Sequence, residues 1–267
     1  MPSILEDPST RIPPPPSHTM AASSLKPRPT TLPKASNAGL TLYPIANGAE
    51  NVPRDLVRFL HAEFSAEIVR GGTYPMEQPM ELDQFASYWF GTFAVVAVLD
   101  LDEGEDGEKA KVDEAEAGAG AGAGAGGLRE GRNWEKVCLG TFYIKPNYPE
   151  GVQNAEPRQF ALVSGGGTTG SITVRRCSHI CNAGFLTTTA ARGKGVGQQM
   201  GEAYLHFAPQ LGYKYSVFNL VFANNPASIR IWEKLGFSVI GRVPKAARLA
   251  NSEELVDALI FGRELGN

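Results

Sequence analysis

No stretch of the 267-residue chain stays apolar long enough to cross a membrane as a helix. The best candidate, Phe90 to Leu99, stops at Asp100 after about ten residues, against the roughly 18 that a spanning helix needs. Cysteine is scarce as well: Cys138, Cys177 and Cys181 cannot make a disulfide framework. No signal-peptide h-region opens the chain, so the expected compartment is reducing and the expected location cytoplasmic. Acids are missing altogether from Met20 to Gly48, where Lys26, Arg28 and Lys34 sit among Ser and Thr. A start at Met20 would turn this stretch into a mitochondrial transit peptide, the alternative location, but its prolines break the amphipathic helix such a peptide needs.

What is present is unevenly spread. The formal net charge of −3 combines unlike parts. Asp100 to Glu116 holds nine acids against two basic residues, a local charge of −7, whereas Arg176 to Arg248 holds nine Lys or Arg against Glu202 and Glu233, a local charge of +7. A concentrated positive segment implies an anionic partner, either nucleic acid or a phosphorylated cofactor. Without aromatic residues interleaved among the basic ones, nucleic acid is the weaker of the two.

Three regions read as soft. Nine of the 19 prolines lie in the first 34 residues, so residues 1–38 are expected to form a disordered tail. A flexible insertion is expected at about 102–132, where acids give way to alternating Ala and Gly, a composition whose backbone entropy opposes helix and strand alike. A second is expected at about 150–175, around Gly165, Gly166, Gly167 and Gly170. About 172 residues remain, the size of one domain spanning 39–267.

Within that domain the pattern alternates. Leu56, Phe59, Leu60, Phe64 and Ile68 fall at helical spacing over 55–70, and 81–90 is a second helix. Residues 93–99 and 137–144 read as strands paired across the acidic insertion. Further strands are expected at 40–43, 181–187, 216–222, 237–241 and 256–262, with helices at 196–208 and 226–235. Asn225 caps the last helix, Pro226 takes its first position and Gly236 closes it. The class is α/β (α+β), a mixed central sheet with crossover helices.

The most informative stretch is Arg192-Gly193-Lys194-Gly195-Val196-Gly197, set between a strand and a helix. Alternate glycines let backbone N–H groups converge, and the helix that follows adds the positive end of its dipole, so the loop suits a diphosphate. A P-loop needs Ser or Thr after Gly-Lys, and here Gly195 follows. A dinucleotide fingerprint needs G-x-G-x-x-G, but Met200 stands where the third glycine belongs. R-x-x-G-x-G does fit, as Arg192, Gly195 and Gly197. The run Asn225-Pro-Ala-Ser-Ile-Arg-Ile-Trp-Glu-Lys-Leu-Gly-Phe237, one buried strand downstream, resembles a later motif, N-x-x-A followed by an aromatic, K, x and G-F, with Ser228 in the alanine's place.

In these two motifs the chain resembles the GCN5-related N-acetyltransferase (GNAT) superfamily. Three longer runs narrow the likeness: 139–148, 177–185 and 211–222, together with Thr73-Tyr74-Pro75 and Tyr88-Trp89-Phe90, are similar to the fungal L-azetidine-2-carboxylate N-acetyltransferases. That resemblance implies acetyl-CoA as co-substrate, direct attack in a ternary complex on a small cyclic imino acid, a homodimer, and two parallel strands that splay beside the thioester. It implies Asn182 and Asn219 as catalytic and substrate-handling residues, with Tyr74 also at the acceptor. It implies a cofactor site of Phe185, Leu186, Thr187, Arg192, Gly193, Lys194, Gly195, Val196, Gly197 and Asn225, although an Asn before Pro is equally what a plain helix cap looks like. The alternatives are a protein or polyamine N-acetyltransferase and a non-catalytic acyl-CoA-binding module.

The chain departs from the family pattern at about 150–175, where relatives run almost directly from the Asn-Tyr-Pro turn to the Arg-Cys-Ser-His run. A genuine loop and an in-frame retained intron both account for this. Neither splaying strand offers a Glu or His as base, so a water relay or an acceptor arriving as free amine is expected. Many superfamily members carry a Tyr where Trp232 stands; an indole cannot protonate a thiolate, which leaves Tyr74 or Tyr204 as the acid, or unassisted departure. Cys177, His179 and Cys181 alternate as three ligands on one strand face would, but a fourth is missing and no metal is expected. His206 reads as a surface or packing residue of its helix.

Overall fold

The computed structural model describes residues 22–46, 48–100, 127–148, 177–250 and 252–266. Their strands form one eight-stranded sheet: β1 (Arg28–Leu32), β2 (Ala38–Ala46), β3 (Phe93–Leu99), β4 (Cys138–Pro146), β5 (Ile180–Thr187), β6 (Tyr215–Phe222), β7 (Ser238–Arg248) and β8 (Leu255–Glu264), in the order β1-β2-β3-β4-β5-β6-β8-β7. The helices are α1 (Arg54–Arg70), α2 (Leu82–Phe90), the single turn α3 (Trp134–Val137), α4 (Val196–Gln210) and α5 (Pro226–Lys234). Every neighbouring pair is antiparallel except β5 with β6, which run parallel and are joined by the α4 crossover, as parallel strands require.

The sheet is covered on both faces, which explains why β3 and β4 are buried almost continuously rather than at alternate residues. On one face, α4 and α5 pack Met200, Tyr204, Phe207 and Trp232 over Phe142, Phe218 and Phe261. On the other, α1 and α2 pack Leu60, Phe64, Phe85 and Trp89 over Val96 and Tyr143. Helix α1 buries Leu56, Leu60, Phe64 and Ile68, its four-residue apolar spacing, and stops at Gly71, whose φ of 62° suits a glycine cap.

Two soft boundaries move inward. The Pro-rich tail does not extend to residue 38, because Arg28–Leu32 is a strand paired with β2 and Leu32 is fully buried. Pro29 is tolerated there because β1 is the edge of the sheet, where one row of N–H groups needs no strand partner. The first insertion ends earlier than residue 132. Leu128 is buried, the Gly131 N–H donates to Asp55 Oδ2 at 2.7 Å and the Arg54 N–H donates to Glu130 Oε1 at 2.5 Å, which ties this segment to the start of α1. The remainder of that insertion and the whole of 150–175 lie outside the described residues. Helix α4 runs past Ala208 through Pro209, and β7 reaches Arg248 rather than stopping at Gly241.

Candidate active site

Strands β5 and β6 pair only at their first residues, Ile180 with Tyr215 and Cys181 with Ser216, and then part. Bulky rings occupy the space between them on the α4/α5 face: the Trp232 ring lies 4.8 Å from Phe185 and 4.5 Å from Phe218, centroid to centroid. Strand β6 also slips in register against β8, so that Asn219 and Leu220 together oppose the single residue Ile260. Such a bulge bends the strand and releases its backbone from the ladder. Wedge and bulge together leave a cleft of about 410 Å³.

Most of the expected residues meet there. Asn182, Asn219, Tyr74, Phe185, Leu186, Thr187, Arg192, Gly197 and Asn225 all line the cleft, although they come from five separate segments of the chain. Gly193, Lys194, Gly195 and Val196 do not line it; they form the turn between Arg192 and Gly197, with the Val196 side chain buried in the α4 core. Within this turn Gly193 and Gly195 have φ of 76° and 89°, backbone that only glycine adopts without strain. Helix α4 then starts with no side-chain cap, which leaves its first N–H groups for an anion. Lys34, from the stretch expected to be disordered, lies within van der Waals distance of where a Cβ on Gly195 would stand.

At the other end the amides are already engaged. Asn182 Oδ1 accepts from the Ala183 N–H at 2.7 Å, and Asn219 Nδ2 donates to Asn147 Oδ1 at 2.6 Å. The Tyr74 hydroxyl donates to the Phe185 carbonyl at 2.9 Å, fastening the Thr73–Pro75 turn across the cleft to β5. Asn225 does what a cap does, its Oδ1 accepting from the Ser228 N–H at 3.1 Å, while also lining the cleft. The two roles that its sequence context sets against each other are compatible in space.

Tyr204 is not an available acid. It is fully buried between Cys181 Sγ at 3.0 Å and Ser216 Oγ at 2.5 Å, it does not line the cleft, and burial raises its ionisation well above the usual phenol range. The Cys181 thiol is pushed up to about 12 by the same burial. It points into the core while Cys177 is exposed, so these two do not share a face with His179 as metal ligands would. His206 is an exposed residue of α4, its pKa lowered by desolvation and by the nearby Arg28. Tyr74 alone of the two tyrosines reaches the site.

Glu67 is a site residue that the motifs do not reveal. Its carboxylate lines the cleft, is almost fully buried, and accepts from Arg70, Arg192 and, at 2.6 Å, the Thr73 hydroxyl. The signal lies in its spacing: Glu67 stands three residues after Phe64 and seven after Leu60, on the buried stripe of α1 where an acid is out of place. Asn147 carries a weaker signal, a polar residue at the end of a wholly buried strand.

A family model described as an acetyltransferase (GNAT) domain matches residues 143–238, the segment from β4 to the start of β7 that carries most of the cleft. The chain is 35% identical over 195 residues to the N-acetyltransferase aca1 of Schizosaccharomyces pombe, an alignment covering 73% of each protein. It is 28% identical over 250 residues to Protein SPT10 of Saccharomyces cerevisiae, covering 88% of this chain and 35% of that larger protein. Among solved structures, a GCN5-related N-acetyltransferase from Kribbella flavida superposes with a TM-score of 0.55 at 20% identity, covering 84% of this chain and 98% of the other. A GNAT phosphinothricin acetyltransferase from Sinorhizobium meliloti, solved in complex with acetyl-CoA, superposes with a TM-score of 0.51 at 15% identity, covering 84% and 89%. These two establish the fold, and the splay, the glycine turn and the close relative agree with it: the chain belongs to the GNAT family of acetyltransferases.

Proposed function

We propose that this acyltransferase moves the acetyl group of acetyl-CoA to the nitrogen of a small amino or imino acid, a proline analogue such as azetidine-2-carboxylate or a proline-pathway intermediate. The observation that carries the reading is the cleft itself. One end offers a glycine turn, an uncapped helix start and Arg192, chemistry suited to a diphosphate; elsewhere the lining carries two carboxamides. Bound there, acetyl-CoA brings an activated thioester. The protein's part is to hold and orient. Beyond Cys181, the β5 edge that faces β6 has no strand partner among the described residues; apart from the Ala183 N–H and the Phe185 carbonyl, which side chains already engage, its backbone groups remain for the pantetheine arm and the thioester carbonyl.

Asn182 and Asn219 both line the cleft, and between them their carboxamides offer donors and acceptors to an acceptor's carboxylate and nitrogen. Glu67 is held as an ion pair by two guanidiniums, which makes it a poor base; the acceptor's proton leaves through water, or the acceptor arrives as free amine. A homodimer belongs to the same reading. A panel of acceptors assayed with acetyl-CoA by release of free thiol tests it. Turnover of azetidine-2-carboxylate or related imino acids is expected, whereas turnover confined to peptides or polyamines would overturn the acceptor class.

A further inference from the structure

We propose that Asn147 is a positioning residue which fixes the Asn219 carboxamide with its oxygen, rather than its nitrogen, turned to the acceptor. The proposal rests on the reading of Asn219 as a substrate-handling residue. Asn147 follows β4, is completely buried, and its backbone N–H donates to the Ile180 carbonyl at 2.9 Å, so its position is locked to β5. Its Oδ1 accepts from Asn219 Nδ2 at 2.6 Å across 72 residues of sequence. The bond therefore reaches from the end of β4, past β5, to β6, close to where the β5/β6 pairing stops at Cys181 and Ser216.

Two features show that this bond is more than incidental packing. Asn219 lies in the β6 bulge, where the ladder to β8 no longer fixes the backbone, so the side-chain tether supplies the missing constraint. Asn147 Nδ2 is buried without a hydrogen-bond partner among the described residues, a cost accepted in few places in a folded protein. The Asn147 amide is thus placed for what its oxygen does. With the Asn219 nitrogen committed to Asn147, the Asn219 oxygen is left on the opposite side of the carboxamide. It has no other hydrogen bond among the described residues. A carbonyl oxygen can take an N–H from the acceptor nitrogen, which directs that nitrogen's lone pair elsewhere; an amide nitrogen there could only compete for the lone pair.

The test uses the full-length protein with Asn147→Leu, which keeps the volume but removes the acceptor, and Asn147→Ala. Both are expected to lower kcat for the acceptor by about 10- to 100-fold, the cost of a misdirected reacting group, with acetyl-CoA Kd unchanged. The Asn147→Leu/Asn219→Ala double variant is expected to be no slower than Asn219→Ala alone, because both remove one arrangement. Effects that multiply, or a loss that appears in acetyl-CoA binding, overturn the proposal. The side-chain amide resonances of the free protein test the same bond without any acceptor, and without any variant that must fold. One hydrogen-bonded, slowly exchanging N–H is expected on Asn219 and none on Asn147; the reverse assignment overturns the proposal. If no amino or imino acid is turned over by the native protein, the proposed acceptor class fails, and the resonances still decide the role of Asn147.

Discussion

Glu67 joins three parts of the site that the chain supplies separately: Arg70 on its own helix, Thr73 on the turn that carries Tyr74, and Arg192 at the head of the glycine turn. Its carboxylate is nearly buried, whereas the guanidiniums of Arg70 and Arg192 are 41% and 40% exposed. Solvent therefore screens the cations but not the anion, and most of what is lost on neutralising Glu67 is its own set of charge-assisted hydrogen bonds. Glu67→Gln keeps the shape and removes the charge. The expected loss is about 1–2 kcal/mol once the exposed partners are discounted. For a domain of this size that is a fall in Tm of roughly 2–8 °C, read by thermal melting. Arg192→Gln in the Glu67→Gln background is expected to cost less than in the native protein, since the two share one ion pair; equal costs would show that the pair contributes nothing.

At the scale of elements, the start of helix α5 was legible to the residue and β1 was not, for physical reasons. The start of α5 is written locally: Asn225 as cap, Pro226 at the first turn, and Gly236 just beyond its end with φ of 76°. Strand β1 has no such local code, since its pairing depends on β2 and on packing against α4, including the Thr30 hydroxyl donating to Gln199 Oε1 at 2.8 Å. Contacts across 169 residues leave no trace in a Pro-rich window. The same holds in the site. Motif spacing points to Arg192 and Asn225, but Asn147 is defined by its contact with Asn219 across the sheet. The double role of Asn225 can be separated by substitution. Asn225→Asp keeps a good cap, whereas Asn225→Ala loses it and is expected to cost about 1 kcal/mol in stability. Both remove the carboxamide N–H groups from the cleft. Weaker acetyl-CoA binding in both variants with a lowered Tm only in Asn225→Ala is the expected pattern; unchanged binding in both would reduce Asn225 to a cap.

On the scale of the whole molecule, the two edges of the sheet are finished differently. At one end β1 is short and carries Pro29, devices that discourage pairing with another chain. At the other end β7 runs eleven residues from Ser238 to Arg248, and beyond its pairing with β8 it has no strand neighbour among the described residues. Val239, Ile240 and Val243 on that strand are 49%, 52% and 43% exposed, and Leu255 opposite is 44% exposed. A long edge with exposed β-branched residues invites association. The proposed homodimer would cover it, with a second copy as the occupant. Light scattering coupled to size exclusion is expected to give twice the mass of one chain. Ile240→Lys with Val243→Lys is expected to give the single mass, with the melting transition retained because neither side chain belongs to the core. A native protein that elutes as one chain at micromolar concentration, or a doubly substituted protein that remains paired, would remove β7 as the interface.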